Sequence, residues 1–257
     1  MNLDRSARVW GAIRAGAEGA PPTLQHAVRA CAEAMSAVGA GFAMTPNGTG
    51  WEPLLASSLV AAELDDAQFT LGEGPTGDAL HRGAPVLASD LTGVGDGRRW
   101  PMFGAAAVER GVNAVFAFPV GLGAARVGVL TVYRGERGPL AADVLQDALV
   151  YADAVLVLAL DERGGGHGTD ADQLIAAAFT ARRAEVHQAA GVVAARHRIS
   201  VTDALARLRA YAYSRGLPLP DVAAEVMAGR LSLEIDEPPR PKETGSQHAE
   251  LDQEEDS

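Results

Sequence analysis

Arg209 and Tyr213 are the residues of this chain whose types and spacing point most directly to chemistry. They lie four apart in a segment of helical period, and positions 202, 206, 209 and 213 stack on one helical face, which adds Thr202 to the set. A tyrosine ring can stack on an unpaired nucleic-acid base, and an arginine fork can take a phosphate or a base edge. Gln188 and Arg196 upstream and Arg215 just downstream complete the candidate contact set. A blander reading stays open beside it, in which Arg209 pairs with a nearby acid and Tyr213 only covers an edge.

A second candidate group is aromatic. Trp51, Trp100 and Phe103 could line a small-molecule cleft, or they could belong to the core, where such residues are more often found. Gly72, Gly74 and Gly77 form a loop that opens a short helix, an arrangement that can hold a phosphate, although no lysine-threonine pair follows. The histidines at 26, 81, 167, 187, 197 and 248 have no metal-ligand spacing, so no metal is expected. Cys31 falls on the apolar side of a helical stretch and reads as a buried thiol. Asp90 and Asp96 are separated by glycines and read as loop residues rather than an acid-base pair, and no nucleophile elbow stands out. No catalytic residues are expected, and the chain is not read as an enzyme.

The nucleic-acid candidates must be held by three helices between Glu185 and Gly229. In the first, Val186, Ala189, Ala190 and Val193 form an inner stripe. Ser200 and Asp203 make a capping box for the second, with Ile199 in the staple position. Its inner stripe is Val201, Ala204, Leu205, Leu208 and Ala212, and Gly216 ends it. Pro218 and Pro220 open a third helix, in which Leu219, Val222, Ala223, Val226 and Met227 face inward. Three such helices can close one small bundle.

This stretch resembles the ANTAR domain, a three-helix RNA-binding output module of bacterial transcription antiterminators. Val186, Ala189, Ala190, Gly191, Val192 and Val193 occupy the family's first-helix pattern, with Ala190 where that pattern has lysine. Ala204, the Leu208-Arg209 pair and Ala212 match its second helix, and Val222 and Ala223 its third. The resemblance implies RNA stem-loops as the partner and antitermination, in the context of RNA polymerase, as the process.

Upstream, Thr23 reads as the cap of a helix to about residue 37, after a short or frayed helical lead-in over 1–20. Two short strands about an Asn47-Gly48 turn follow, then one or two helical turns at 59–66, a short helix at 76–82, a strand at 85–89 and a helix at 100–110. VNAVFAFPVGL and ARVGVLTVYR are near-continuous apolar runs and read as paired central strands, before a long helix over 139–160. The order implies an α+β fold, an antiparallel sheet with helices on it. With Gly72 to Gly77, Pro85-Val86, Asp90-Leu91, Pro119 and Gly128-Val129-Leu130, this region resembles a GAF domain. That fold hosts cyclic nucleotides, bilins, haem or nothing, so the resemblance leaves room for an unknown small-molecule ligand and requires no cofactor.

The expected organisation is a lead-in at 1–20, a GAF-like sensor at 21–162, a glycine-rich linker at 163–170, an ANTAR-like bundle at 171–232 and an acidic disordered tail at 233–257. The net charge of -11 argues against non-specific nucleic-acid binding by the whole molecule, whereas residues 182–230 carry more arginine than acid. One cysteine excludes an internal disulfide framework, and the absence of a signal or membrane segment gives a cytoplasmic expectation. Apolar positions on the helices 141–160 and 174–193, including Ile175 and Phe179, suggest a homodimer seam. Three function classes compete: an RNA-binding regulator, a sensor or dimerisation protein without nucleic-acid binding, and a DNA-binding regulator. The last lacks a recognition helix after LPDVAAEVMAG.

Overall fold

The computed structural model describes residues 3–45, 50–123, 125–163 and 185–233. The Asn47-Gly48 turn, the glycine linker after 163, the seam positions Ile175 and Phe179 and the acidic tail lie outside the described residues.

The central strands form as their composition requires. β4 (Ala114–Leu122) and β5 (Ala125–Arg134) pair antiparallel, with Phe116 opposite Val132 and Phe118 opposite Leu130. β1 (Gly39–Met44) adds to the free side of β5, β2 (Glu52–Ala56) to β1 and β3 (Val86–Ala88) to β4, giving the order β2-β1-β5-β4-β3 with every pair antiparallel. Both faces of the sheet are covered, so β4 and β5 can be apolar on alternate and intervening residues alike. Phe42, Phe116, Phe118 and Leu130 face α1 (Leu3–Gly16), α2 (Leu24–Ala34) and α6 (Ala142–Arg163). Val115, Ala117, Val129 and Tyr133 face α3 (Leu59–Leu71), α4 (Pro75–Arg82) and α5 (Pro101–Glu109).

Local signals set most boundaries. The Nδ1 of His26 accepts from the Thr23 N–H at 3.0 Å to start α2, and the Ser58 hydroxyl accepts from the Ala61 N–H at 3.2 Å to start α3. Proline stands at the start of α4 and α5, where no helical N–H is needed. Cys31 is buried in α2, as expected, and burial pushes its thiol up.

Two elements are longer than the sequence suggests. α3 continues to Leu71, well past the one or two turns read at 59–66, because Leu64, Gln68 and Phe69 all find cover. The lead-in is an ordered helix, α1, whose Val9 and Ile13 bury against the first core. Arg8 makes two bonds to the Asp147 carboxylate of α6, at 2.7 and 2.9 Å, and Arg5 binds both that carboxylate and the Asp143 carbonyl. Burial raises the Asp147 carboxyl, and the two arginines more than reverse it, holding the group below its usual range. At the other end of α6, Glu162 accepts from the Leu24 N–H at 2.8 Å, so the last turn of α6 caps α2.

The output region is a three-helix bundle: a helix over 185–197, here α7, then α8 (Val201–Arg215) and α9 (Leu219–Met227). The molecule is thus an α+β sheet domain followed by an all-α bundle. Val186, Ala189, Ala190, Val193, Ala204, Leu208, Ala212, Leu219, Val222, Ala223 and Val226 fill the bundle's core, the inner stripes expected from periodicity. Val201 and Met227, assigned to those stripes, are exposed at helix ends instead.

Candidate nucleic-acid interface

The turn between α7 and α8 sets the orientation of the candidate residues. The Ser200 hydroxyl accepts from the Asp203 N–H at 3.0 Å and donates to the Asp203 carboxylate at 2.7 Å, which fixes the start of α8. α7 closes with the Ile199 N–H on the Ala194 carbonyl, which places Arg198 in the left-handed region at φ 56°. Glycine usually takes that place, and α8 ends in the same motif with Gly216 at φ 61°.

Of the six candidates, Gln188, Arg196, Thr202, Tyr213 and Arg215 stand exposed, Tyr213 to 56%. Arg215 lies over the Tyr211 ring, its Cζ 5.4 Å from the centroid, and Arg196 reaches the Ser232 hydroxyl at 3.4 Å. Arg198 and Arg207, outside the set that helical spacing picks out, are exposed as well, and only the arginine count of the segment points at them. Arg230 is committed to both oxygens of Glu225, at 2.8 and 2.9 Å, and Arg230 and its hydrogen bonds hold that carboxyl below its usual range.

Arg209 is placed differently from the outward position its spacing suggests. At 100° per residue it falls on the flank of the Ala204-Leu208-Ala212 stripe, and that flank faces α3 of the sheet domain. The side chain is half-buried, its Cζ lies 4.8 Å from the centroid of the Phe69 ring, and burial lowers its pKa. Its Nε is buried without a hydrogen-bond partner among the described residues, and among those residues the arginine makes no ion pair with an acid.

Phe69, at the end of α3, is 6% exposed and belongs to the bundle's core rather than to either core of the sheet domain. Trp51 meets it edge-on, centroids 5.8 Å apart at 75°. Beside them the His187 imidazole of α7 pairs with the Glu52 carboxylate of β2, and that hydrogen bond raises the imidazole's pKa against the opposing effects of burial and Arg209. The glycine loop lies against the same contact. A side chain on Gly72 would come within 3.7 Å of Arg209 Nη1, and one on Gly77 within 3.4 Å of Trp51 Nε1. The loop's Thr76 N–H, which a phosphate would need, donates to Gln68 Oε1 at 2.8 Å.

The aromatic cleft expected from Trp51, Trp100 and Phe103 does not assemble. Trp100 and Phe103 are buried in the core under α5, whereas Trp51 packs toward the bundle. Between the sheet and α3 lies a buried polar network: Tyr133 donates to Asp65, Gln68 donates to the Tyr133 oxygen at 2.7 Å, and Thr76 and Thr131 share a 2.9 Å bond. Burial first and Asp65 second push the Tyr133 phenol far up, so it stays protonated. The adjoining pocket, lined by Pro53, Leu54, Leu55, Ala56, Ala62, Asp65 and Asp66, has about 20 Å³, room for one water. Asp90 is held down by bonds from the Thr92 hydroxyl and N–H, a loop arrangement, with Arg137 nearby. Among the described residues no group of three or more His, Cys, Asp or Glu is placed to hold a metal ion, and no helix is long and apolar enough to cross a membrane.

Ala190, where the ANTAR pattern has lysine, is fully buried in the bundle's core. It contributes packing and no charge.

Comparison with known proteins follows the same division. Residues 22–146 match the family model of the GAF domain, and residues 177–227 that of the ANTAR domain. No curated protein matches the chain. Among solved structures, the chain is similar to the GAF domain of a phosphoenolpyruvate-protein phosphotransferase from Acinetobacter, with 15% identity, 63% of this chain and 96% of that chain covered, and a TM-score of 0.46. The corresponding domain from Coxiella burnetii gives 17%, 64%, 99% and 0.45. An N-acylhomoserine lactone dependent LuxR-family transcription factor of Burkholderia cenocepacia gives 18%, 62%, 96% and 0.43.

Proposed function

We propose, from the premise that this is a protein with a GAF domain followed by an ANTAR domain, that it is a signal-responsive transcription regulator which binds stem-loop RNA through its bundle under control of the sensor. The carrying observation is the ANTAR match on a bundle that holds Arg196, Arg198, Arg207, Arg215 and Tyr213 exposed around a well-packed core. Exposed arginines supply phosphate contacts, and an exposed tyrosine supplies a stacking surface for a loop base. The reading places the protein in the cytoplasm, where nascent RNA and RNA polymerase meet, and assigns it no catalysis and no cofactor. A small molecule is the sensor's input. The exposed Leu149, Val157 and Leu160 of α6 support a homodimer through that helix, which sedimentation at micromolar concentration tests.

The direct test is an electrophoretic-shift titration of the full chain against a tandem stem-loop RNA, with duplex DNA alongside. Binding of the RNA alone, with a log-log salt slope that falls by about one on Arg215→Ala, is the expected result. Binding of neither nucleic acid would favour the second reading, a sensor and dimerisation protein, which the withdrawal of Arg209 into the domain contact supports.

A further inference from the structure

Arg209 and Phe69 belong to different domains, and neither is accounted for by the domain it belongs to. Phe69 leaves the sheet domain's own cores and completes the bundle's. Arg209 leaves the bundle's open surface and lies on Phe69. Trp51, from the edge of the same sheet domain as Phe69, meets the ring edge-on, and the His187-Glu52 pair sits beside them.

Given the RNA-binding reading, we infer that this contact is an autoinhibitory clamp: the sensor seats Arg209 on Phe69, withdraws it from RNA, and releases it when the two domains part. The contact leaves part of the guanidinium's hydrogen-bonding capacity unfilled. A guanidinium carries five donors suited to carboxylate or phosphate. Here it is half-buried, its Nε has no hydrogen-bond partner among the described residues, and the nearby Glu52 carboxylate is engaged by His187. A site built only for strength would place an acid opposite that charge. The ring holds the cation by its face alone, an attraction that a phosphate offering both charge and hydrogen bonds can outbid. One side chain cannot lie under α3 and on a phosphate at once, so docking and full RNA contact exclude each other. Any ligand that favours the parted state then raises RNA affinity by its preference for that state, whatever its distance from the bundle.

The experiment uses the full chain, a labelled tandem stem-loop RNA, and two clamp variants, Phe69→Ala and Glu52→Gln. The second removes a charge from the contact and no core side chain, so it reports even where the first fails to fold. Both are expected to bind the RNA more tightly than the parent, Phe69→Ala by at least about fivefold. Arg209→Ala is expected to bind more weakly than either. Hydrogen exchange supplies the second readout: RNA should deprotect the last turn of α3, residues 66–72, in the parent and leave the Phe69→Ala protein unchanged there. If both folded variants bind no more tightly than the parent, and RNA leaves residues 66–72 protected, the clamp is overturned while the RNA reading stands. If neither parent nor variants bind the RNA, the RNA reading falls and the clamp falls with it.

Discussion

The sheet domain and the bundle solve the problem of making a core in opposite ways. The sheet domain buries large rings: Tyr133, Phe42, Phe103, Phe116 and Phe118 are among its most enclosed side chains. The bundle buries Ala189, Ala190, Ala204, Ala212 and Ala223, with Leu208 and Leu219 its largest fully buried side chains. Small side chains let helices approach closely but remove little apolar area from water per residue. The single buried aromatic of the bundle's core among the described residues, Phe69, comes from α3 of the other domain. A self-sufficient domain therefore stands beside one that borrows part of its core, and contact between them is part of how the second is held.

The sharpest way to break that contrast is to remove a ring from the sheet core. Phe116→Ala should cost about 3 to 5 kcal/mol and lower the main calorimetric transition. If the bundle is as self-sufficient as the sheet domain, far-UV circular dichroism will show its helices surviving that loss. The borrowed core predicts that they melt with it. Next in size is Leu208→Ala, expected to cost about 2 to 4 kcal/mol and to destabilise the bundle while the sheet domain's transition stays in place. Movement of both transitions together would show that the dependence runs both ways.

Ser200→Ala should cost about 1 kcal/mol, since the N–H of Asp203 loses its acceptor. Protection against hydrogen exchange should fall at 201–204 and nowhere in the sheet domain. The smallest effect is the pH dependence of the domain contact. The hydrogen bond that the imidazole donates to Glu52 raises the His187 pKa, so the pair's contribution is complete below the ordinary histidine value and is lost as pH rises through the raised one. An NMR titration should place His187 above the ordinary value in the parent and return it toward that value in Glu52→Gln; no difference between the two would remove this pair from the clamp.

Much of this was legible in the sequence because it is carried by short-range pattern. The runs that became β4 and β5 needed cover on both sides and received it, and Ser200-Asp203 and Gly216 mark the ends of α8 as the capping rules require. The stripe through Leu208 was legible for the same reason. Arg209 was not, because the residue beside a buried stripe has the same spacing whether it meets solvent or another domain. Phe69 was hidden likewise: it closes a helix whose later turns look weakly periodic until the bundle supplies their cover. Trp100 and Phe103 could be assigned to core or cleft by type alone, and only the packing of α5 on the sheet decides for core. The order of α1 depends on Arg5 and Arg8 finding Asp147, a pairing across some 140 residues that no local window contains.

The bond from Glu162 to the Leu24 amide has a bearing on how such chains can be assembled. The strand-and-helix unit runs from α2 to the end of α6, and the Glu162 side chain at its far end reaches the Leu24 amide at its near end, at 2.8 Å. A unit whose doorways adjoin can be spliced into a loop of a host protein without stretching the host's backbone. A cassette for chimaeric switches would therefore carry α1 as well, since Val9 and Ile13 bury in the same core, with the α2–α6 latch holding its two ends together.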